Sequence, residues 1–139
     1  MSHICQALIL SCIDFRFVSA IHRFAEAEGL EGNYDYAALA GGSMDILEKS
    51  GQSIIINQID IASRLHQIKK IYLIHHEDCG AYGGKKSFSS DEEELTKHKT
   101  DLQKTTAVIK NKFPDLEIIN VFAHLKEEGG QNVIWFEKL

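Results

Sequence analysis

Two short stretches of this chain carry residue types that do chemistry together: Cys12-Ile13-Asp14-Phe15-Arg16 and His76-Glu77-Asp78-Cys79. Thiolate and imidazole are the ligands of a borderline-soft divalent ion, and two Cys with one His suit zinc. Cys12, His76 and Cys79 leave a fourth position for water or another oxygen, the arrangement of a catalytic zinc rather than a structural one. Zinc lowers the pKa of a bound water towards ~7, so hydroxide forms near neutral pH. Asp14, two residues beyond Cys12, can accept a hydrogen bond from that hydroxide, and Arg16 can hold Asp14 in a bidentate pair that keeps it ionised. If the chain runs on extended past Cys12, alternating residues share a side and Cys12, Asp14 and Arg16 face one cavity. A tight turn at Gly80 would let His76 and Cys79 point at one atom.

Such residues need strands to deliver them. Ile71 to Ile74 is apolar or aromatic and reads as a strand buried on both faces that breaks abruptly into the second stretch. Ile4 to Leu10 is an equivalent strand ahead of Cys12. Val18, Ile21, Phe24 and Ala25 recur at helical spacing, with Gly29 placed to stop that helix. Tyr34 to Ala40 is a second strand ending in Gly41-Gly42. Ile55, Ile59, Ala62 and Leu65 mark the inner face of a helix reaching about Gln67, with Ser43 or Ser50 as its cap. Ser90-Asp91-Glu92-Glu93 is a capping-box pattern opening a helix whose thin apolar stripe, Leu95, Leu102 and Ile109, predicts a surface position and an end before Pro114. Glu117 to Phe122 is a fourth strand, and Asn132 to Phe136 a fifth, reached through Gly129-Gly130.

Alternating strands and helices predict an α/β fold with a mostly parallel central sheet covered by helices on both faces. If Cys12 and His76 share an ion, the first and third strands are neighbours, which gives the order 2-1-3-4 with the fifth strand at an edge. The cluster then lies at the carboxyl ends of strands one and three, the switch point where such sheets bind ligands. Residues 1–139 are expected to form one domain.

Composition narrows the partners. A formal net charge of -5, with no Lys/Arg cluster beyond short pairs, argues against nucleic acid. No apolar stretch approaches bilayer length, and the first residues lack a basic signal-peptide start, so a cytoplasmic location is the expectation. Cys5, Cys12 and Cys79 are an odd number, which suits a reducing compartment and metal or core roles better than disulfides.

Cys-Ile-Asp-Phe-Arg at 12–16 and His-Glu-Asp-Cys-Gly at 76–80 together resemble the β-class carbonic anhydrases, whose signature is C-x-D-x-R with a distant H-x-x-C. Ala40-Gly41-Gly42 resembles the family's A-G-N turn, so the likeness runs from about Ile4 to Gly84, with Gly42 in place of Asn and His75 in place of the Gly that commonly precedes the metal His. The resemblance implies that Cys12, His76 and Cys79 bind Zn2+ and that Asp14 and Arg16 form the dyad that orients the zinc-bound water or, when the pair breaks, lets the carboxylate take the fourth position. It implies reversible hydration of carbon dioxide to bicarbonate by zinc-bound hydroxide, in a homodimer or larger homo-oligomer whose partner chain completes the pocket. The same scaffold is also known to hydrolyse carbonyl sulfide or carbon disulfide, and a zinc-stabilised binding or regulatory protein without turnover is a further alternative.

The remaining candidates read more plainly. Cys5 is expected to be core. His75 should face away from His76 as a packing residue, and Glu77 and Asp78 should be turn residues whose N–H groups orient the thiolates. Tyr82, Phe15 and Leu39 either line an apolar pocket for a small linear molecule or make plain core contacts, and His3, His22, His66, His98 and His124 are scattered, each expected in a solvated or capping role rather than as a proton relay.

Overall fold

The structure, a computed structural model, describes residues 2–49 and 51–139. Strands β1 (Ala7–Ser11), β2 (Tyr34–Ala38), β3 (Lys70–His76), β4 (Glu117–Glu128) and β5 (Gln131–Lys138) form one sheet in the order β2-β1-β3-β4-β5. The first four are parallel, and β5 returns antiparallel to β4. Helices α1 (Val18–Ala27), α2 (Met44–Lys49), α3 (Ile54–Leu65) and α4 (Asp91–Lys112) connect them. This is the α/β fold and the strand order expected from the sequence.

Strand periodicity sorts the core into two layers. Leu8, Leu10, Ile71 and Leu73 face α2, α3 and α4, meeting Ile46, Ile55, Ile59, Leu102 and Ile109. Ala7, Ile9, Tyr72 and Ile74 face the other way, onto Phe17, Ile21 and Ala25 around α1. Burial on both faces is what a parallel sheet requires, and each fully buried Ile or Leu contributes roughly 1.5–3 kcal/mol relative to exposure. The same alternation separates the two histidines at the end of β3: His75 follows Ile71 and Leu73 to the α4 face, and His76 follows Tyr72 and Ile74 to the α1 face. Accordingly, the His76 ring lies 4.3 Å from that of Phe17 and the His75 ring 5.2 Å from that of His98.

Helix ends follow local chemistry. Beyond α1, Gly29 takes φ 74°, and the amides of Gly29 and Leu30 close back on Glu26 and Ala25 at 2.9 Å each. The segment expected to be one helix after Gly42 is two. Its second part, α3, is capped by Ser53, whose hydroxyl accepts from the Ile56 amide at 3.1 Å. Ser43 instead precedes α2 and spends its hydroxyl on His75, while Ser50 lies outside the described residues. Leu65 and Val18 turn outward, 56% and 39% exposed, because each sits at a helix end where the buried stripe has rotated away. Ser90 caps α4 through the Glu93 amide as the capping-box pattern predicts. At the carboxyl end of β4, Gly129 and Gly130, at φ 57° and 77°, form the tight turn that joins β4 to β5.

The largest departure is α4. It does not rest on a thin apolar stripe: its buried residues are Glu94, His98, Asp101, Leu102, Thr105 and Ile109, and Leu95 is only half-buried. Among the described residues, no helix is long and apolar enough to cross a membrane.

Candidate metal centre

β1 and β3 are adjacent and parallel, so the residues leaving their carboxyl ends arrive side by side. Cys12 follows β1 directly, His76 is the last residue of β3, and Cys79 lies one turn on; their exposures are 8%, 3% and 2%. One donor atom from each lies within 4.8 Å of the others. The two sulfurs are 4.0 Å apart, against the roughly 3.8 Å that tetrahedral zinc with ~2.3 Å sulfur legs requires.

His76 is set for a cation. Its Nδ1–H donates to the Glu77 carbonyl at 2.8 Å, which fixes the tautomer and leaves the lone pair on Nε2. That Nε2 is buried and has no hydrogen-bond partner. An orphaned acceptor beside two sulfurs is costly unless something positive occupies the space between them, so the donor set fits a metal ion.

Charge at the sulfurs points the same way. The Cys12 thiol is pulled down, first by the hydrogen bond Cys79 donates to it and further by the Gly41 amide, while Cys79 is pushed up by its negative neighbour and by burial. The pair gives up one proton easily and holds the other, and a divalent ion would take both sulfurs as thiolates. The Gly41 N–H donates to Cys12 Sγ at 3.4 Å from a turn in which Gly41 and Gly42 sit at φ 78° and 60°. At both positions the left-handed backbone favours glycine.

The chain does not stay extended after Cys12. Asp14 accepts from the Arg16 amide at 3.0 Å and caps a short 3-10 helix, Phe15–Phe17. That turn folds the Arg16 side chain back onto Asp14: Nε reaches Oδ1 at 3.0 Å and Nη2 reaches Oδ2 at 2.6 Å. Arg16 is the main reason the Asp14 carboxyl stays below the usual carboxylate range. Asp14 Oδ2 stands 4.0 Å from His76 Nε2, so its charge faces the cluster.

Asp78 was not legible as part of this constellation. Its carboxylate takes Arg16 Nη1 at 2.9 Å, its carbonyl takes Nη2 at 3.0 Å, and its Oδ1 accepts the Lys85 amide at 2.8 Å. Asp78 also makes the turn that was expected of Gly80: it is Asp78 that adopts φ 57°, while Gly80 has no positive φ. An Asp tolerates the left-handed region because its short polar side chain bonds locally, which was the available signal. Glu77 likewise works through its side chain, accepting the Leu125 amide at 2.7 Å and Lys85 Nζ at 2.9 Å.

Behind the cluster lies a buried polar layer. His75 meets Ser43 Oγ through Nε2 at 2.8 Å and His98 Nδ1 through Nδ1 at 3.0 Å. The Tyr82 ring packs at a tilt against His98, 4.1 Å between ring centres, and its hydroxyl donates to Asp101 at 2.9 Å. Burial pushes both imidazoles down, His98 to about 4 and His75 well below its ordinary value, and pushes the Glu94 carboxyl up. Tyr82 therefore belongs to this layer, and Leu39 packs against the core on the α3 face; neither lines the cleft. The cleft beside the cluster, about 530 Å³, is lined by Cys12, Ile13, Asp14, Phe15, Arg16, Ala40, Gly80 and Ala81. Phe15, 84% exposed, and Ile13, 62% exposed, form its apolar rim. The scattered histidines remain apart from the cluster, with the exception of His98.

Among curated proteins, an uncharacterized protein of Rickettsia conorii (strain ATCC VR-613 / Malish 7) is 34% identical over 120 residues, a match covering 81% of this chain and 64% of that protein. An uncharacterized protein of Rickettsia bellii (strain RML369-C) is 33% identical over 120 residues, covering 81% of this chain and 73% of that protein. Among solved structures, the β-carbonic anhydrase CafA of Aspergillus fumigatus superposes with a TM-score of 0.49 at 16% identity, over 99% of this chain and 76% of that one. The family model described as "Putative carbonic anhydrase" matches residues 2–131. That span takes in both the turn after β1 and the turn after β3, where the buried Cys, His and Cys converge, and the chain belongs to the putative carbonic anhydrase family.

Proposed function

We propose that this chain catalyses the reversible hydration of carbon dioxide to bicarbonate at a zinc ion held by Cys12, His76 and Cys79. The observation that carries the reading is the buried, partnerless Nε2 of His76, on a ring clustered with two sulfurs 4.0 Å apart and with the Asp14 carboxylate 4.0 Å from that nitrogen. When bound, zinc supplies the Lewis acidity that makes a water nucleophilic at neutral pH. The chain's own groups do the rest. Asp14 accepts a hydrogen bond from the attacking water and aims its lone pair at the substrate carbon. Arg16 keeps Asp14 ionised and turned towards the cleft. Ile13, Phe15, Ala40 and Ala81 offer apolar surface to a linear, uncharged molecule.

Steady-state assays on carbon dioxide, carbonyl sulfide and carbon disulfide separate this reading from the same site acting on the sulfur compounds, for which a narrow apolar tunnel to the metal would be the supporting feature. The exposed apolar rim supports an assembly in which a second copy of the chain covers the cleft mouth, a homodimer or a higher homo-oligomer.

Metal analysis and stopped-flow hydration assays on wild type, Cys12→Ser and Asp14→Ala test this. The expected result is one zinc at this cluster in wild type and in Asp14→Ala, none there in Cys12→Ser, and a hydration rate lowered at least tenfold in both variants. Turnover that survives loss of the Cys12 sulfur would remove the proposal. So would an Asp14→Ala protein as inactive as a wild type that already shows no activity, which would leave the non-catalytic reading.

A further inference from the structure

A second group of mixed donors lies at the other end of the sheet. Cys5 sits just ahead of β1, Asp35 is near the start of β2, and His66 terminates α3 just before β3. All three therefore stand at the amino ends of parallel strands, whereas Cys12, His76 and Cys79 stand at the carboxyl ends. One donor atom from each of Cys5, Asp35 and His66 lies within 4.8 Å of the others. We propose that these three side chains form a second metal site, for one borderline divalent ion such as zinc or cobalt(II), at the amino end of the sheet.

The backbone holds the three in place before any ion arrives. The Cys5 amide donates to the His66 carbonyl at 3.0 Å, and the His66 amide donates to the Ala62 carbonyl at 3.0 Å. Asp35 is fixed by its pairing opposite Leu8 in the β1–β2 ladder, which also turns its side chain to the α3 face. His66 Nδ1 lies 2.7 Å and 2.9 Å from the two oxygens of Asp35, so imidazole and carboxylate already share one locus. Cys5 completes it with a soft donor.

Chemistry separates this group from an ordinary ion pair with a neighbouring core cysteine. The half-buried Cys5 sulfur stands beside the Asp35 carboxylate and the His66 ring, and its own hydrogen bond, to the Ala7 carbonyl at 3.6 Å, is long. A divalent cation suits the three together, because one thiolate and one carboxylate neutralise it and the imidazole adds a neutral donor. On binding, Cys5 releases its proton to solvent and His66 carries its own on the nitrogen that faces away from the ion. Three protein donors leave one position for water. An approach exists: His66 and Asp35 side chains are 36% and 29% exposed, and both line a cavity of about 190 Å³ with Leu8, Tyr36, Gln58 and Ala62.

The site is independent of the catalytic proposal, and the test keeps the two apart. The full chain is stripped with chelator, reloaded with zinc, separated from free metal and analysed for zinc per chain. Wild type is expected to hold two ions, Cys5→Ser/His66→Gln one, and Cys12→Ser/Cys79→Ser one. Cobalt(II) loaded into Cys12→Ser/Cys79→Ser should show sulfur-to-metal charge-transfer absorption that vanishes when Cys5→Ser is added. Circular dichroism checks that each variant is folded. If Cys12→Ser/Cys79→Ser fails to fold, the wild-type and Cys5→Ser/His66→Gln stoichiometries decide alone. Equal zinc content in those two proteins, or no thiolate absorption in the cobalt protein, overturns the second site whatever becomes of the first.

Discussion

Asp78 combines two demands that substitution can pull apart: a left-handed backbone at φ 57° and a carboxylate that holds Arg16 and the Lys85 amide. Asp78→Asn keeps a residue type that tolerates this backbone and keeps an oxygen for the Lys85 amide, but exchanges a charge-assisted bond to Arg16 for a neutral one. With the Asp78 side chain 39% exposed, solvent screening limits that loss to about 0.5–1 kcal/mol. Asp78→Gly removes both side-chain hydrogen bonds while relieving the backbone, for a net loss of about 1.5–2 kcal/mol. Asp78→Ala loses the same bonds but keeps a Cβ in the left-handed region without the polar group that eased it, so it should cost ~1 kcal/mol more than Asp78→Gly, about 2.5–3 in all. The Arg16 bond to the Asp78 carbonyl at 3.0 Å survives in every variant and does not alter the ranking. Urea denaturation followed by circular dichroism reads the order directly: Asn mildest, Gly intermediate, Ala worst. An Ala variant as stable as the Gly variant would refute the backbone argument, and a Gly variant as stable as wild type would refute the ion-pair argument.

Other expectations rest on separate features. His98 has its pKa pushed from 6.5 down to about 4 by burial, so the unfolded chain binds its proton first and stability falls as pH drops through that window, by about 3 kcal/mol from this group. His98→Phe, in a chelator-treated sample, should flatten the acid side of the stability curve; an unchanged slope would show that this imidazole does not carry it. Gly41→Ala should cost more than Gly42→Ala, about 2 against about 1 kcal/mol, because a Cβ at 41 meets Ala81 Cβ and Met44 Sδ at 3.1 Å whereas one at 42 finds its nearest atoms at 3.5 Å. Thermal unfolding measures the order, and its reversal would contradict the packing described. Arg16 holds the Asp14 carboxyl below the carboxylate range, so hydration should rise with pH through neutrality without an acidic limb from Asp14; Arg16→Gln should introduce one. A pH–rate profile with the same shape in both proteins would remove Arg16 from the positioning of Asp14.

What the sequence made legible depends on how rare a residue type is and how far its meaning depends on neighbours. Thiols and imidazoles at strand ends are uncommon, and requiring Cys12 and His76 to meet forces β1 and β3 together, from which the observed order of the sheet follows. The turn after Cys12 was missed because alternation was extended past the strand, although Asp14 is a capping residue and its carboxylate accepts the Arg16 amide that starts the 3-10 helix. Asp78 was hidden by the glycine two residues on, the usual owner of a left-handed turn.

The buried face of α4 was illegible for a deeper reason. Glu94, His98 and Asp101 are residues that normally mark a solvated face, and they became interior here because partners from other elements meet them: Glu94 takes the Asp78 amide, His98 meets His75, and Asp101 meets Tyr82. Each partner lies far from α4 in sequence or in a loop whose course no local rule fixes, so the pairing exists only once β3 and its following turn are in place. Their spacing, one or two helical turns apart on the same side as Leu102 and Ile109, was the clue available. A polar stripe in register with an apolar one marks a helix packed on polar groups of its own protein, and in this fold those groups are the ones standing directly behind the Cys12–His76–Cys79 cluster.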